Sequence, residues 1–177
     1  KDRVRMYSLN PSNGKIKQLQ AKEDVISDYS IANQAFEMVY FGLSASNSQR
    51  LYTYNLKNDA SSCLIDLSKE ILRDVTLGEV QDWNFVSAQG DTIYGRFYLP
   101  PHFDATKKYP MIVNYYGGTT PTARVMESRY PSHVYAGLGY IVYIIQPSGA
   151  TGFGQEFSAR HVNAWGKLTA DEIIEGT

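Results

Sequence analysis

Cysteine occurs once in these 177 residues, at Cys63, which excludes an intrachain disulfide and a cysteine-built zinc site. Histidine is nearly as scarce. His102, His133 and His161 stand far apart, and none has a second ligand-type side chain at metal spacing, so no metal is expected. No charge of one sign dominates: 17 Lys and Arg face 18 Asp and Glu, for a net charge of -1. With Lys107-Lys108 as its only basic cluster, the chain carries no electrostatic footprint for nucleic acid. Long hydrophobic runs are also missing. The longest, Tyr140 to Ile145, falls far short of the roughly 20 residues that cross a bilayer, so no transmembrane segment is expected. Lys1-Asp2-Arg3-Val4-Arg5 does not read as a signal peptide, because no apolar core follows it.

Aromatic residues, by contrast, are plentiful. Fourteen tyrosines and a 43% hydrophobic content fit half-buried β-structure better than a helical bundle. Residues 1–67 alternate short strand-like runs with turn signals. Arg3 to Leu9 and Lys15 to Leu19 flank an Asn13-Gly14 pair, a strong hairpin signal. Ser27 to Ala32 pairs with Glu37 to Leu43, and Arg50 to Leu56 with Cys63 to Leu67. The first and third pairs repeat. Arg5-Met6-Tyr7-Ser8-Leu9-Asn10 matches Arg50-Leu51-Tyr52-Thr53-Tyr54-Asn55 at an offset of 45 residues. A four-stranded meander recurring every ~40–50 residues is the signature of a β-propeller blade. About one and a half blades would fit.

From residue 79 the pattern changes. Glu79 to Ser87 and Thr92 to Leu99 read as a hairpin closed by Ala88-Gln89-Gly90-Asp91, and Pro100-Pro101 ends its second strand. Met111 to Tyr116 is a buried strand leaving through Gly117-Gly118, where the missing side chains allow a sharp bend. A loop and a short helix are expected from about Thr122 to Ala136, ended by Gly137 and Gly139, and Tyr140 to Gln146 is continuous enough to be buried on both faces. Gly154 to Trp165 suits a further helix, with Phe157, His161, Ala164 and Trp165 on one face. Thr169-Ala170-Asp171-Glu172 has the spacing of a capping box opening another. A hairpin followed by strand, helix, strand and helix supports an α/β architecture, in which ligands bind beyond the carboxyl ends of the strands.

Several motifs in this half carry a resemblance. Tyr98-Leu99-Pro100-Pro101-His102-Phe103-Asp104, then Lys107-Lys108-Tyr109-Pro110, the apolar strand and the Tyr116-Gly117-Gly118 exit resemble the entry into the catalytic domain of the prolyl oligopeptidase family. The likeness is greatest to its dipeptidyl peptidase IV branch of serine peptidases. The run from Gln146 to Gly154 resembles that family's next loop, although Gln146 and Ser148 stand where Asp and Arg are commoner. Trp165-Gly166 followed by Asp171 also fits. The resemblance implies a mixed fold, terminal β-propeller blades of antiparallel β followed by the N-terminal part of an α/β-hydrolase. Residues 1–69 would be propeller, 70–78 linker and 79–177 hydrolase, stopping before the nucleophile elbow.

The resemblance also implies a serine peptidase acting on short peptides through an acyl-enzyme, often after Pro or Ala, with no cofactor. It favours an exported protein, periplasmic or extracellular. In such enzymes the tyrosine before the glycine pair donates to the oxyanion, a role that falls on Tyr116; Tyr115 would then pack in the core from the other face. No Gly-x-Ser-x-Gly elbow occurs, so none of the triad Ser, Asp or His is expected within the chain. Gly149 to Gly154 lacks the Lys-Ser/Thr of a phosphate loop and reads as a turn. Asp171 and Glu172 read as helix-start carboxylates, and Trp165 as an anchor in the core or an interface. The alternative is a non-catalytic propeller and hydrolase-like peptide-binding protein. With only Asn114 to discourage pairing, the Met111 strand would form an exposed sheet edge and promote self-association.

Overall fold

The computed structural model describes residues 2–116, 119–164 and 166–177. Two compact units emerge: residues 3–75 with 124–128, and residues 76–123 and 129–177 with the first two.

In the first unit, β1 (Tyr7–Leu9) and β2 (Ile16–Gln18) form a short antiparallel hairpin. Its turn is closed by Gly14 N donating to Asn10 O at 2.9 Å, with Gly14 at φ +68°. The strand expected from Arg3 shortens to these three residues, since Val4 pairs instead with Val25 in an isolated bridge. β3 (Val25–Ile31), β4 (Glu37–Ser44), β5 (Asn47–Asn55) and β6 (Ala60–Asp66) then form a four-stranded antiparallel meander in chain order. That is the architecture of one blade. The last turn is tighter than the sequence suggested. The Asn55 side chain accepts from the amides of Lys57 and Asn58 at 3.0 and 3.2 Å, so the ladder resumes at Ala60 rather than Cys63. A single helical turn, α1 (Ser68–Ile71), follows.

The repeated segments occupy equivalent places, β1 leading into β2 and β5 leading into β6. Their burial differs: Tyr7 is 58% exposed and Tyr52 only 3%. The core explains the need for tyrosine. Tyr40 stacks on Tyr52 with centroids 5.0 Å apart, and Tyr54 meets Tyr40 edge-on. Their rings bury apolar area while each hydroxyl finds a polar partner. Tyr54 Oη accepts from Gln20 N at 3.0 Å, Tyr40 Oη accepts from Lys22 N at 2.9 Å, and Tyr52 Oη donates to Glu23. The three rings thus pin residues 20–23 across the sheet.

The second unit is built on a mixed sheet of β7 (Val80–Val86), β8 (Thr92–Tyr98), β9 (Met111–Asn114) and β10 (Ile141–Gln146), in the order β7-β8-β10-β9. β10 runs parallel to β9 and antiparallel to β8. Central β10 is buried from Val142 to Gln146, as its unbroken apolar run required. Ile93, Tyr143 and Ile145 form the core, with Phe85, Phe97, Val113, Phe157 and Ile173 packed against them. The fold is therefore mixed, blade-type antiparallel β followed by the opening strands of an α/β-hydrolase-type sheet.

The helices follow their sequence patterns unevenly. α2 (Ser132–Gly137) starts only after Pro131, whose ring cannot continue a helix from its amino side, so residues 122–130 are loop. α3 (Gln155–Ala159) is five residues long, and Asn163 at φ +55° lies in the turn beyond it. His161 and Ala164 therefore do not share a helical face with Phe157, and Trp165 lies outside the described residues. α4 (Lys167–Glu175) has Gly166 at its N-cap, three residues before the cap expected at Thr169, and no side chain caps it. Thr169 is helix interior rather than cap. None of the described helices is long and apolar enough to cross a membrane.

Candidate active site

Hydrogen-bonded pairing of β9 stops at Asn114, so the two tyrosines that follow are placed by the chain leaving the sheet rather than by the ladder. Tyr115 is 49% exposed. The core role expected for it is thus corrected: past the last pairing residue, strand alternation no longer dictates which face it meets. Tyr116 is half-buried, and its hydroxyl donates to the Pro147 carbonyl at 3.2 Å. Burial, then the charge of Glu172, push its pKa up to about 12, which keeps the phenol protonated and a donor at neutral pH. Gly117 and Gly118, the expected bend, lie outside the described residues.

Pro147 and Ser148 leave the end of β10, and a buried carboxylate holds them. Ser148 N donates to Glu172 Oε2 at 2.7 Å, and Ser148 Oγ donates to Oε1 at 2.5 Å. Glu172 is only 1% exposed, on the inward face of α4. It is not a helix-start carboxylate. Its neighbour Asp171 keeps closer to that role, accepting from Lys167 Nζ at 3.0 Å one turn earlier. Ser148 thus gives its amide and its hydroxyl to the two oxygens of one buried carboxylate.

Gln146, one of the two departures from the family pattern, is likewise fully buried and fully used. Its Oε1 accepts from Thr122 N at 3.0 Å, and its Nε2 donates to Thr122 O at 2.8 Å. A carboxylate could answer the amide but not the carbonyl, so a side-chain amide suits this loop. Next to it, buried Arg96 of β8 donates to Ala123 O at 2.6 Å, Asp2 at 3.0 Å and Tyr98 Oη at 3.2 Å. The loop after Tyr116 is therefore fixed from below by two polar side chains of the sheet. Thr151 N also donates to Thr119 O at 2.8 Å, which joins this loop to the next.

That second loop is a glycine turn, as its sequence suggests. Gly149, Gly152 and Gly154 all have positive φ, and a side chain at Gly149 would meet His161 Cβ at 2.8 Å. His161 packs under the turn, and His133 meets the Tyr98 ring edge-on at 5.0 Å. Among the described residues no group of three or more His, Cys, Asp or Glu could hold a metal ion. A cleft of about 370 Å³, lined by Tyr94, Phe153, Phe157 and Arg160 among others, lies along α3 and away from Tyr116. What the assembled site offers is a neutral, oriented phenol donor beside two rigid loops.

The chain is 29% identical over 154 residues to dipeptidyl-peptidase 5 of Porphyromonas gingivalis, a match covering 86% of this chain and 22% of that protein. It is 32% identical over 111 residues to human dipeptidyl peptidase 8, covering 59% of this chain and 12% of the relative. These relatives bear out the resemblance to the prolyl oligopeptidase family. The chain's fold agrees: Pyrococcus horikoshii acylaminoacyl peptidase superposes with a TM-score of 0.77 at 20% identity, over 93% of this chain and 25% of that one. Dipeptidyl peptidase 4 of Porphyromonas gingivalis gives 0.68 at 16%, over 88% and 22%. No family model matches the chain. The chain thus spans about an eighth to a fifth of the length of these curated relatives.

Sequence reasoning placed Tyr116 at a strand exit but missed Pro147 and Glu172. Both lie in segments that read locally as a turn and a capping box.

Proposed function

We propose that the chain is part of a serine peptidase that removes dipeptides from short peptides through an acyl-enzyme, and that Tyr116 supplies one donor of its oxyanion hole. The observation that supports this most is the state of the Tyr116 hydroxyl. Half-buried, with a pKa pushed up to about 12, it is engaged among the described residues by a 3.2 Å bond to Pro147 O. A donor so placed can exchange a modest contact for a charged oxygen in the transition state, where a charge-assisted bond is roughly twice as strong. Loss of such a donor typically costs about 10²–10³ in rate.

Dipeptide release is inferred from relatives named as dipeptidyl peptidases. The nucleophile, acid and base would come from chain outside these 177 residues, which contain no Gly-x-Ser-x-Gly. The peptide chain is the substrate and partner, and the chemistry needs no cofactor. The test is to incubate the full-length protein with a fluorophosphonate probe and with chromogenic Gly-Pro, Ala-Ala and N-acetylalanine substrates. One labelled serine and turnover of the dipeptidyl substrates are expected. No labelling, with tight peptide binding instead, would favour the non-catalytic alternative, and turnover of only the acetylated substrate would move the specificity to acylaminoacyl release.

A further inference from the structure

We infer that Glu172 is a positioning residue for Tyr116, acting through the peptide unit between Pro147 and Ser148. The inference rests on the oxyanion-donor reading of Tyr116. One end of that peptide, the Pro147 carbonyl, accepts from Tyr116 Oη at 3.2 Å. The other end, the Ser148 N–H, donates to Glu172 Oε2 at 2.7 Å. A trans peptide is planar, with its N–H and C=O pointing in opposite directions, and no cis bond occurs among the described residues. Fixing the N–H therefore fixes the direction in which the carbonyl points. The carboxylate sets the aim of the phenol without touching it.

A single hydrogen bond would let the peptide swing. Ser148 removes that freedom, because its Oγ donates to the second carboxylate oxygen at 2.5 Å. Serine and carboxylate thus grip residue 148 at two points, both buried, where charge-assisted bonds are strongest. The grip also polarises the unit: a carboxylate at the N–H end makes the carbonyl a better acceptor for Tyr116. The short serine side chain takes one carboxylate oxygen and leaves the other for the backbone amide. The field of Glu172 works in the same sense, since it opposes ionisation of the phenol.

A double-mutant cycle in the full-length enzyme tests this. Glu172→Gln should lower kcat about tenfold with KM within twofold, counted per serine titrated by fluorophosphonate. In a Tyr116→Phe background the same substitution should change kcat by less than twofold, because the hydroxyl it aims is already gone. An equal fold-loss in both backgrounds would mean that Glu172 supports the fold or the nucleophile by another route, and would overturn the inference while leaving Tyr116 as donor. If Tyr116→Phe alone leaves kcat unchanged, the oxyanion reading fails and takes the inference with it. Should Glu172→Gln not accumulate as folded protein, Ser148→Ala replaces it in the cycle. It frees one carboxylate oxygen and should cost threefold to fivefold with tyrosine at 116 and nothing with phenylalanine; equal losses again overturn the inference.

Discussion

At Gln146 one side-chain amide satisfies both the N–H and the C=O of Thr122, deep under the loop that follows Tyr116. Gln146→Ala in the full-length protein should remove both bonds, at about 0.5–1.5 kcal/mol each, and chemical denaturation should read a loss of about 1–3 kcal/mol in all. An unchanged midpoint would mean that water replaces the amide. The residues that matter here were unevenly legible. Tyr116 stands out because it ends an apolar run before two glycines, a local pattern. Glu172 does not, because Thr169-Ala170-Asp171-Glu172 also fits a local capping box, and only the packing of α4 against the end of β10 gives the carboxylate Ser148. Tyr115 was misread for a related reason: alternation was extended past Asn114, where the ladder ends.

Among the elements, strands were legible and helices much less so. β10 has one possible reading, six apolar or amide residues too few for a helix and too apolar for a surface. The loop and short helix expected before Gly137 place α2 correctly, with Pro131 setting its start, whereas the helical pattern of Gly154 to Trp165 is curtailed by the turn before Asn163. In the sheet, Gly95 of β8 sits between β7 and β10 with no room for a methyl group, since a Cβ would lie 2.7 Å from Ile144 O and 3.1 Å from Trp83 O. Gly95→Ala should therefore destabilise by about 1–3 kcal/mol through forced separation of three strands, measurable as a lower denaturation midpoint. β9 is the edge of the sheet in this chain, with Met111 38% exposed. The isolated 177-residue chain should self-associate at tens of micromolar, and light scattering across a concentration series would detect it. Met111→Lys is the informative variant, because Val113 faces the core and a lysine there would unfold the unit rather than blunt the edge. A monomer unaffected by Met111→Lys would show that the edge does not drive association.

For the whole molecule, the division of labour we propose has this chain orient a donor while the nucleophile comes from elsewhere in the protein. The isolated chain should accordingly show no hydrolysis of a Gly-Pro chromogenic substrate above buffer, and stoichiometric fluorophosphonate labelling of one of its serines would contradict that. The repeat and the change of pattern at residue 79 made blade-type β and an α/β half legible, because each periodicity reports local burial, and the hydrolase assignment came from the resemblance of the motifs. The site's second layer was not, because it depends on which loops meet. Steady-state kinetics of the full-length enzyme carrying Tyr116→Phe, set beside Tyr115→Phe, probe the central claim most directly. The account predicts a fall in kcat of about 10²-fold for Tyr116→Phe with KM little changed, and less than a threefold effect for Tyr115→Phe. Equal effects at the two positions, or an undiminished kcat at Tyr116→Phe, would contradict it.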